Sequence, residues 1–421
     1  MKNRIMNWGK SKILKDSLFA VFGNGFGHAL LLLSGILIAR LLGRDLYGEY
    51  GLVKTNMFYM AGFATFGLGF TTTKFVAQYF KENPSFVLSI VKSASCITLV
   101  FSSLLALFLV LLSSELADFL ETPSLTSIFK YLSFIIILKA LATTGTGILS
   151  GMGCFKDIAR NSVISGVAML LLCVPFTYFE GLNGSLLALA LSQFLNAALN
   201  YRNIFDECKK LPSSKNRFTK KLLMFSFPIA MQELSFAFCN WGAIVLLTKM
   251  STIGEVGIYS ATAQWNAVIM FLPSILANVV LSHLSSTVEK TANNRLLKKI
   301  LGVYLLCTLI PFVLVYIATP FIVSMYGSDF ATMDKVLRLI VFATIPMCCS
   351  DVFKSELIAL GKPWHLFVLR LFKDLLLLML TYTLLSLNSG VDGAFYFAIA
   401  TVLSSIAFFV AICVDFKIVI K

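Results

Sequence analysis

The sequence predicts an all-α integral membrane protein: twelve transmembrane helices in two parallel six-helix repeats. Three observations carry that reading. Of 421 residues, 58% are hydrophobic and only 13% charged, where a soluble domain carries about 25% charged residues. Apolar runs long enough to cross a bilayer, roughly 20 residues, recur along the whole chain. Short motifs then return at a constant offset close to half its length. With a mean hydropathy of +0.85, this composition excludes a soluble enzyme, a disordered chain and a disulfide-stapled secreted fold. Glycine (26) and phenylalanine (38) are plentiful, as in helical membrane spans.

The spans are expected at 18–42, 48–70, 86–112, 127–149, 160–179, 183–201, 222–247, 257–282, 298–318, 335–358, 364–386 and 392–414. The first apolar run is too long for a cleaved signal peptide, and no small-residue cleavage site follows it. A basic tail with Lys2, Arg4, Lys10, Lys12 and Lys15 precedes span one, and Lys74, Lys81 and Lys92 fall between spans two and three. Glu115, Asp118 and Glu121 separate spans three and four. Lys156 and Arg160 follow span four, and Glu180 follows span five. Arg202, Lys209, Lys210, Lys215, Arg217, Lys220 and Lys221 join spans six and seven. Lys290, Arg295, Lys298 and Lys299 join spans eight and nine. Asp329 and Asp334 follow span nine, Lys354 lies in the last turn of span ten and Lys362 follows it, Asp392 follows span eleven, and Lys417 and Lys421 stand at the end of the sequence. Basic and acidic connections therefore alternate. Retention of lysine and arginine on the cytoplasmic side predicts an even number of spans with both termini in the cytoplasm. The net charge of +14 is spread over these short segments and forms no stripe, which argues against a nucleic-acid partner.

The nine cysteines fall in apolar runs or in segments assigned to the cytoplasm, with no CxxC, and are expected as reduced small hydrophobes. The sequence holds no GxxxxGK[ST] phosphate loop and no HExxH or paired-histidine motif. No cofactor and no metal are expected, and the connections are too short to hold an extramembrane active site.

Arg40 is followed by Gly48 and Tyr50, and Lys249 by Gly257 and Tyr259, at identical spacings. The offset is about 209 residues by position, and Gly181-Leu-Asn-Gly184 meets Gly390-Val-Asp-Gly393 at the same offset. Gly153 and Gly361, in the turns after spans four and ten, match within one residue of it. Six spans per repeat leave both repeats in the same orientation, related by an axis along the membrane normal. The expected division is 1–201, a basic cytoplasmic linker at 202–221, and 222–421.

The basic tail, Ile38-Ala39-Arg40-Leu41-Leu42-Gly43, Tyr47-Gly48-Glu49-Tyr50, Gly67-Leu68-Gly69 and Lys74-Phe75-Val76-Ala77 together resemble the polysaccharide-transport branch of the multidrug/oligosaccharidyl-lipid/polysaccharide exporter superfamily. The likeness is to Wzx-type O-antigen or repeat-unit flippases. That resemblance implies flipping of an undecaprenyl-diphosphate-linked oligosaccharide from the cytoplasmic to the outer leaflet of a bacterial inner membrane. It implies two six-helix lobes around a central cavity lined by the first helices of each lobe, with a polysaccharide polymerase complex as protein partner.

A charge at mid-span costs at least about 2.5–3.5 kcal/mol on insertion scales, so each marks a wet path or a partner. Lys139, near the centre of span four, and Lys54, about 10 Å inside span two at 1.5 Å per residue, are the candidate cations for a diphosphate. Arg40 and Lys249 stand near span ends, where they can form a cationic rim, with Arg40 a further substrate-binding candidate, or can snorkel to the interface. Arg370 and Asp374 in span eleven are four apart and can pair, leaving Lys373 as a candidate. Glu233 in span seven lies at the repeat position of Asn24 in span one. Glu233 and Asp351 are candidates for ion coupling or for buried ion pairs. His28 stands one turn from Asn24 and can line the same path; His283 and His365 carry no pattern. Gln264, Trp265 and Asn266 in span eight suit sugar binding by stacking and amide bonds, or plain interhelical hydrogen bonding. Pro228, Pro273, Pro311 and Pro346 are expected to bend their spans.

The alternative within the superfamily is a cation-coupled drug exporter, which calls for an acid in the first helices; span one has none, and Glu233 keeps that reading open. An integral-membrane glycosyltransferase or polymerase calls for large outer loops, which are missing. A purely structural role leaves the intramembrane charges unexplained.

Overall fold

The computed structural model describes residues 2–119, 125–212, 218–286, 290–359, 363–388 and 392–420. Side chains are described except at 2–22, 24, 81–82, 272, 274–286, 290–299, 355–356, 358–359, 363 and 417–420. Among the residues singled out above, Glu121, Lys215, Arg217, Gly361, Lys362, Gly390 and Lys421 lie outside this set, as do the side chains of Asn24, Lys81 and His283, of the basic residues at 2–15 and 290–299, and of Lys417.

The chain is helical almost throughout: α1 (Lys2–Ala64), α2 (Leu68–Glu82), α3 (Val87–Leu111), α4 (Ser113–Phe119), α5 (Leu125–Met152), α6 (Phe155–Cys208), α7 (Thr219–Met250), α8 (Ile253–Ser286), α9 (Lys290–Tyr326), α10 (Met333–Ala359), α11 (Pro363–Leu387) and α12 (Gly393–Ile420). Among the described residues, eight stretches are long and apolar enough to cross a membrane. Two of them, of 40 and 54 residues, exceed what the hydrocarbon core of about 30 Å can hold at 1.5 Å per residue. Each folds at a glycine: Gly43 (φ 73°, ψ 179°) in α1 and Gly181 (φ 55°, ψ −129°) in α6. Both angles are ones that a residue with a Cβ resists. Counting each as two spans and adding α8 and α11 gives twelve; α11 carries Arg370, Lys373 and Asp374 in its first half.

The sharp breaks fall at these glycines and not at the prolines. Pro175, Pro228, Pro273, Pro311, Pro320 and Pro346 all sit inside continuous helices. The expected connection between spans two and three is also different. The helix pauses at Phe66 (φ 53°) and Gly67 (φ 69°) and resumes as α2, so Lys74 and Lys81 are helical. Likewise α6 runs on to Cys208, into the basic stretch expected as a linker.

The chain forms two compact units. Unit 1 comprises Met1–Leu41 and Val53–Ala237; unit 2 comprises Leu42–Leu52 and Phe238–Lys421. Unit 1 is built on α5, which packs against α2, α3 and α6; unit 2 is built on α10, which packs against α8, α9 and α12. These are the most buried of the described spans, with 67% and 61% of their most apolar stretches inside the protein against 17–50% elsewhere. They are spans four and ten, repeat equivalents, so each repeat uses the same helix as its hub.

Residues 42–52 are tied into unit 2 by polar bonds. The Arg44 guanidinium pairs with Glu255 Oε1, while Glu255 Oε2 accepts the Ala394 backbone N–H at 2.8 Å. One buried carboxylate thus neutralises an arginine and caps the first turn of α12. Removing one partner of a buried pair costs 3–5 kcal/mol. Arg44 keeps about a third of its side chain in solvent, which reduces the effect. Glu255→Ala is expected to lower stability by about 2 kcal/mol, measured as an earlier unfolding transition in detergent; Glu255→Gln, which keeps the cap, is expected to lose less.

Candidate functional site

In unit 1 the two arms of α1 and the hub helix α5 bring one group of residues together. Lys139 lies on α5, the helix least able to let a cation reach the membrane surface. Its Nζ stands 5.0 Å over the ring of Phe58, and His28 lies within its electrostatic reach. Among the described residues Lys139 has no acidic partner. Phe58 is four residues after Lys54 and four before Gly62, so the three share one face of α1. Gly62 is a notch: the Glu233 side chain of α7 occupies the space a Cβ would need, with its Cγ 3.3 Å from that point. Tyr59 meets Phe236 edge-on at 5.5 Å, closing the same helix pair. The face therefore carries, in order along α1, an amine, an aromatic ring and a carboxylate, with Lys139 over the ring. An unpaired ammonium on a ring face is a ready partner for an anion.

Of the residues chosen from sequence, Lys54, Lys139, His28 and Glu233 belong to this group. Arg40 is exposed and stands apart from it, in keeping with an end-of-span cation; Lys249, in unit 2, is also exposed. Phe58 and Gly62 were missed; the four-residue spacing from Lys54 is the signal that marks them.

Unit 2 holds the remaining candidates, and most are engaged with neighbouring helices. Gln264 donates to the Tyr47 hydroxyl, Trp265 Nε1 donates to the Tyr326 hydroxyl at 3.2 Å, and Asn266 Nδ2 faces Met347 Sδ at 3.9 Å. These contacts favour interhelical bonding as the role of all three. Asp351 pairs with Lys354 one turn on, at 2.7 Å, and Lys354 also lies over the Phe408 ring. The expected pairing of Arg370 with Asp374 is not made. Asp374 is fully buried and neither of its carboxylate oxygens has a hydrogen-bond partner among the described residues. Four-residue spacing puts two side chains on one face, but the packing of α11 against α12 decides which of them turns inward. Lys373 is half-buried and lies within electrostatic reach of Asp374, Lys354, Arg370 and Asp351.

In the turn between α5 and α6, burial, then Glu207 and Asp157, push the Cys154 thiol up to about 11. Burial and Glu207 also raise Cys208 at the end of α6. Both stay protonated at neutral pH, and a protonated thiol is a poor nucleophile.

Comparison with known proteins places this arrangement. A membrane protein of Methanocaldococcus jannaschii, "uncharacterized membrane protein MJ1375", is 22% identical over 412 residues, covering 94% of this chain and 96% of the relative. The fold resembles the inward-facing conformation of a multidrug resistance MATE family transporter of the MOP superfamily (TM-score 0.76, 13% identity, 93% of this chain and 94% of that one). It also resembles the lipid II flippase MurJ in an inward closed conformation (TM-score 0.72, 18% identity, 95% of this chain and 87% of that one). The fold is thus shared with these two transporters, and the chain is a multi-pass membrane protein. The model of the polysaccharide biosynthesis protein family matches residues 13–287, more than half of the sequence; the chain belongs to that family.

Proposed function

We propose that the protein is a Wzx-type flippase. It carries undecaprenyl-diphosphate-linked oligosaccharide repeat units, of the O-antigen or lipopolysaccharide kind, from the cytoplasmic to the outer leaflet of a bacterial inner membrane. Both termini are cytoplasmic in this reading. Two six-helix lobes, 1–201 and 222–421, joined by the basic segment 202–221, alternate access to a central path. A polysaccharide polymerase complex is the onward partner.

The observation that carries the reading is Lys139. An ammonium deep in the hub helix, on an aromatic face and without an acidic partner among the described residues, is costly in lipid. An anionic group on the substrate offsets that cost, and a diphosphate is a strong acceptor for it. Lys54 supplies a further donor on the face of α1 that carries Phe58. Because the substrate is anionic, an inside-negative potential favours its outward movement by about 2.3 kcal/mol per charge per 100 mV.

A second reading, a cation-coupled drug exporter, has one observation in its favour: the Glu233 carboxylate lies on the same face as Lys54 and Phe58. Deleting the gene in its host separates the two. The flippase predicts loss of surface glycan, with diphosphate-linked repeat units retained on the cytoplasmic face. Intact glycan with altered sensitivity to toxic cations would move the assignment to the exporter.

A further inference from the structure

One end of unit 1 is closed by a layer of aromatic rings. The ends of α2 and α6 and the starts of α3 and α7 share one apolar cluster there, with Phe75, Val87, Cys208 and Phe218 in it. Tyr79, Phe86 and Phe218 meet pairwise edge-on, with ring centres 5.1–5.6 Å apart. Phe75 stacks on Tyr79 at 6.4 Å and meets Phe225 edge-on at 5.2 Å. This is the end of the unit that the charge pattern assigns to the cytoplasm.

Two lysines lie on these rings. The Lys221 ammonium stands 5.3–5.6 Å from the centres of Phe75, Tyr79 and Phe218 and donates to the Tyr79 hydroxyl at 2.9 Å. The Lys74 ammonium lies 4.1 Å over Phe225. One ammonium is therefore linked to the other through two touching rings, Phe225 and Phe75. Both lysines are exposed, and among the described residues neither has an acidic partner. Three other cations near this end differ. Lys209, Lys210 and Arg160 each pair with an acid three residues earlier, at 3.7, 2.6 and 3.0 Å. A carboxylate neutralises a cation, whereas a ring face holds it in place and leaves its charge for another anion. An ammonium has three donors, and Lys221 uses one of them on Tyr79.

The apolar side of this surface is open as well. On α2, Phe70 lies one turn deeper than Lys74 on the same face and is 71% exposed; on α7, Met224 and Phe227, deeper than Lys221, are 69% and 52% exposed. In a chain that crosses a bilayer, cations above exposed apolar side chains match a lipid, with its phosphate at the cations and its acyl chains below. The place is not that of Lys139. Here α2 passes α5 at Gly151, where the Val76 Cβ lies 2.7 Å from the position of a glycine Cβ, about three turns beyond Lys139.

We propose that Lys74 and Lys221, seated on the Phe225–Phe75 ring pair, form a headgroup site for an anionic glycerophospholipid of the surrounding leaflet. The rings hold the two ammonium groups toward the phosphate, and Phe70, Met224 and Phe227 take the acyl chains. Charge complementarity selects the occupant: the site offers two cations, and among the described residues no carboxylate for the amine of a zwitterionic lipid. The site does not depend on what the protein transports.

Binding is read on the full-length protein in detergent, as the rise in unfolding temperature on adding phosphatidylglycerol, against phosphatidylcholine with the same acyl chains. Phosphatidylglycerol is expected to raise it in a salt-sensitive way, and phosphatidylcholine is not. Lys74→Gln and Lys221→Gln are each expected to weaken the affinity for phosphatidylglycerol about fivefold, and the double variant about twenty-five-fold. Lys209→Gln with Lys210→Gln removes the same charge from acid-paired positions and is expected to leave the affinity unchanged. Lys74→Gln alone, at an exposed position, decides the matter where a Lys221 variant fails to fold. Equal losses in the two double variants, or phosphatidylcholine binding as well as phosphatidylglycerol, overturn the site. Displacement of phosphatidylglycerol by undecaprenyl diphosphate in the wild type also overturns it, and gives the two lysines to the transported lipid. A site that binds phosphatidylglycerol as expected in a protein whose gene deletion leaves surface glycan intact stands without the flippase reading.

Discussion

Gly48→Leu is expected to remove most folded protein from the membrane fraction. Its Cβ would collide with the Ile253 carbonyl, and the neighbouring Gly257 nitrogen leaves no direction of escape. Backbone cannot swing aside as a side chain can. The two helices would have to separate, losing the Arg44–Glu255 pair and the Tyr47–Gln264 bond with them. Extra methylenes in a packed core cost about 1–3 kcal/mol, and a collision with main chain exceeds that range. Gly257→Leu is expected to behave the same way, because its would-be Cβ meets the Arg44 carbonyl. Gly302→Leu is the control: it is also a glycine on a spanning helix, but none of the described residues lies within 4 Å of its Cβ position. Folded yield and unfolding temperature in detergent measure the effect. A Gly48 variant as stable as the Gly302 variant would mean that the contact is not part of the native state.

The second large effect concerns activity. Lys139→Ala is expected to reduce surface glycan by about one to two orders of magnitude, the equivalent of losing a charge-assisted hydrogen bond of 1.5–3 kcal/mol. Lys139→Arg is expected to keep part of the activity and Lys139→Glu none. Stability is expected to move the other way. Removing a mid-span cation that has no acidic partner among the described residues relieves the protein of a cost, so the alanine variant is expected to unfold no earlier than wild type. That combination separates a substrate contact from a structural one. An alanine variant that unfolds early, with activity falling only in proportion to folded protein, would assign Lys139 to the packing of unit 1 through Phe58.

Hydropathy and charge placement act locally and add along the chain, so the helical membrane class and the order of the spans were legible from composition and run length alone. The repeat was legible too, because two copies of a glycine–tyrosine spacing survive at one offset. Lys139 could be singled out from its depth in an apolar run, since the cost of a charge in lipid does not depend on which helix lies next to it. Lys54 and Glu233 were found by the same rule. The pairing of Arg370 with Asp374 was misjudged for a related reason: spacing gives a shared face, and neighbouring helices decide where that face points.

What the tertiary structure alone decided is which distant residues meet. Phe58 meets Lys139 from the second arm of α1, while the first arm, with His28, packs on α6 through Gly23 and Gly27. Gly62 matters only because Glu233 packs into it from a helix some 170 residues later in the chain. The transfer of residues 42–52 to unit 2, and the meeting of Gly48 with its own repeat equivalent, have no local signature beyond the glycines themselves. A glycine in sequence marks only that a close approach is permitted. Which backbone comes to fill that space is a property of the packed fold, where long-range contacts between spans set the answer.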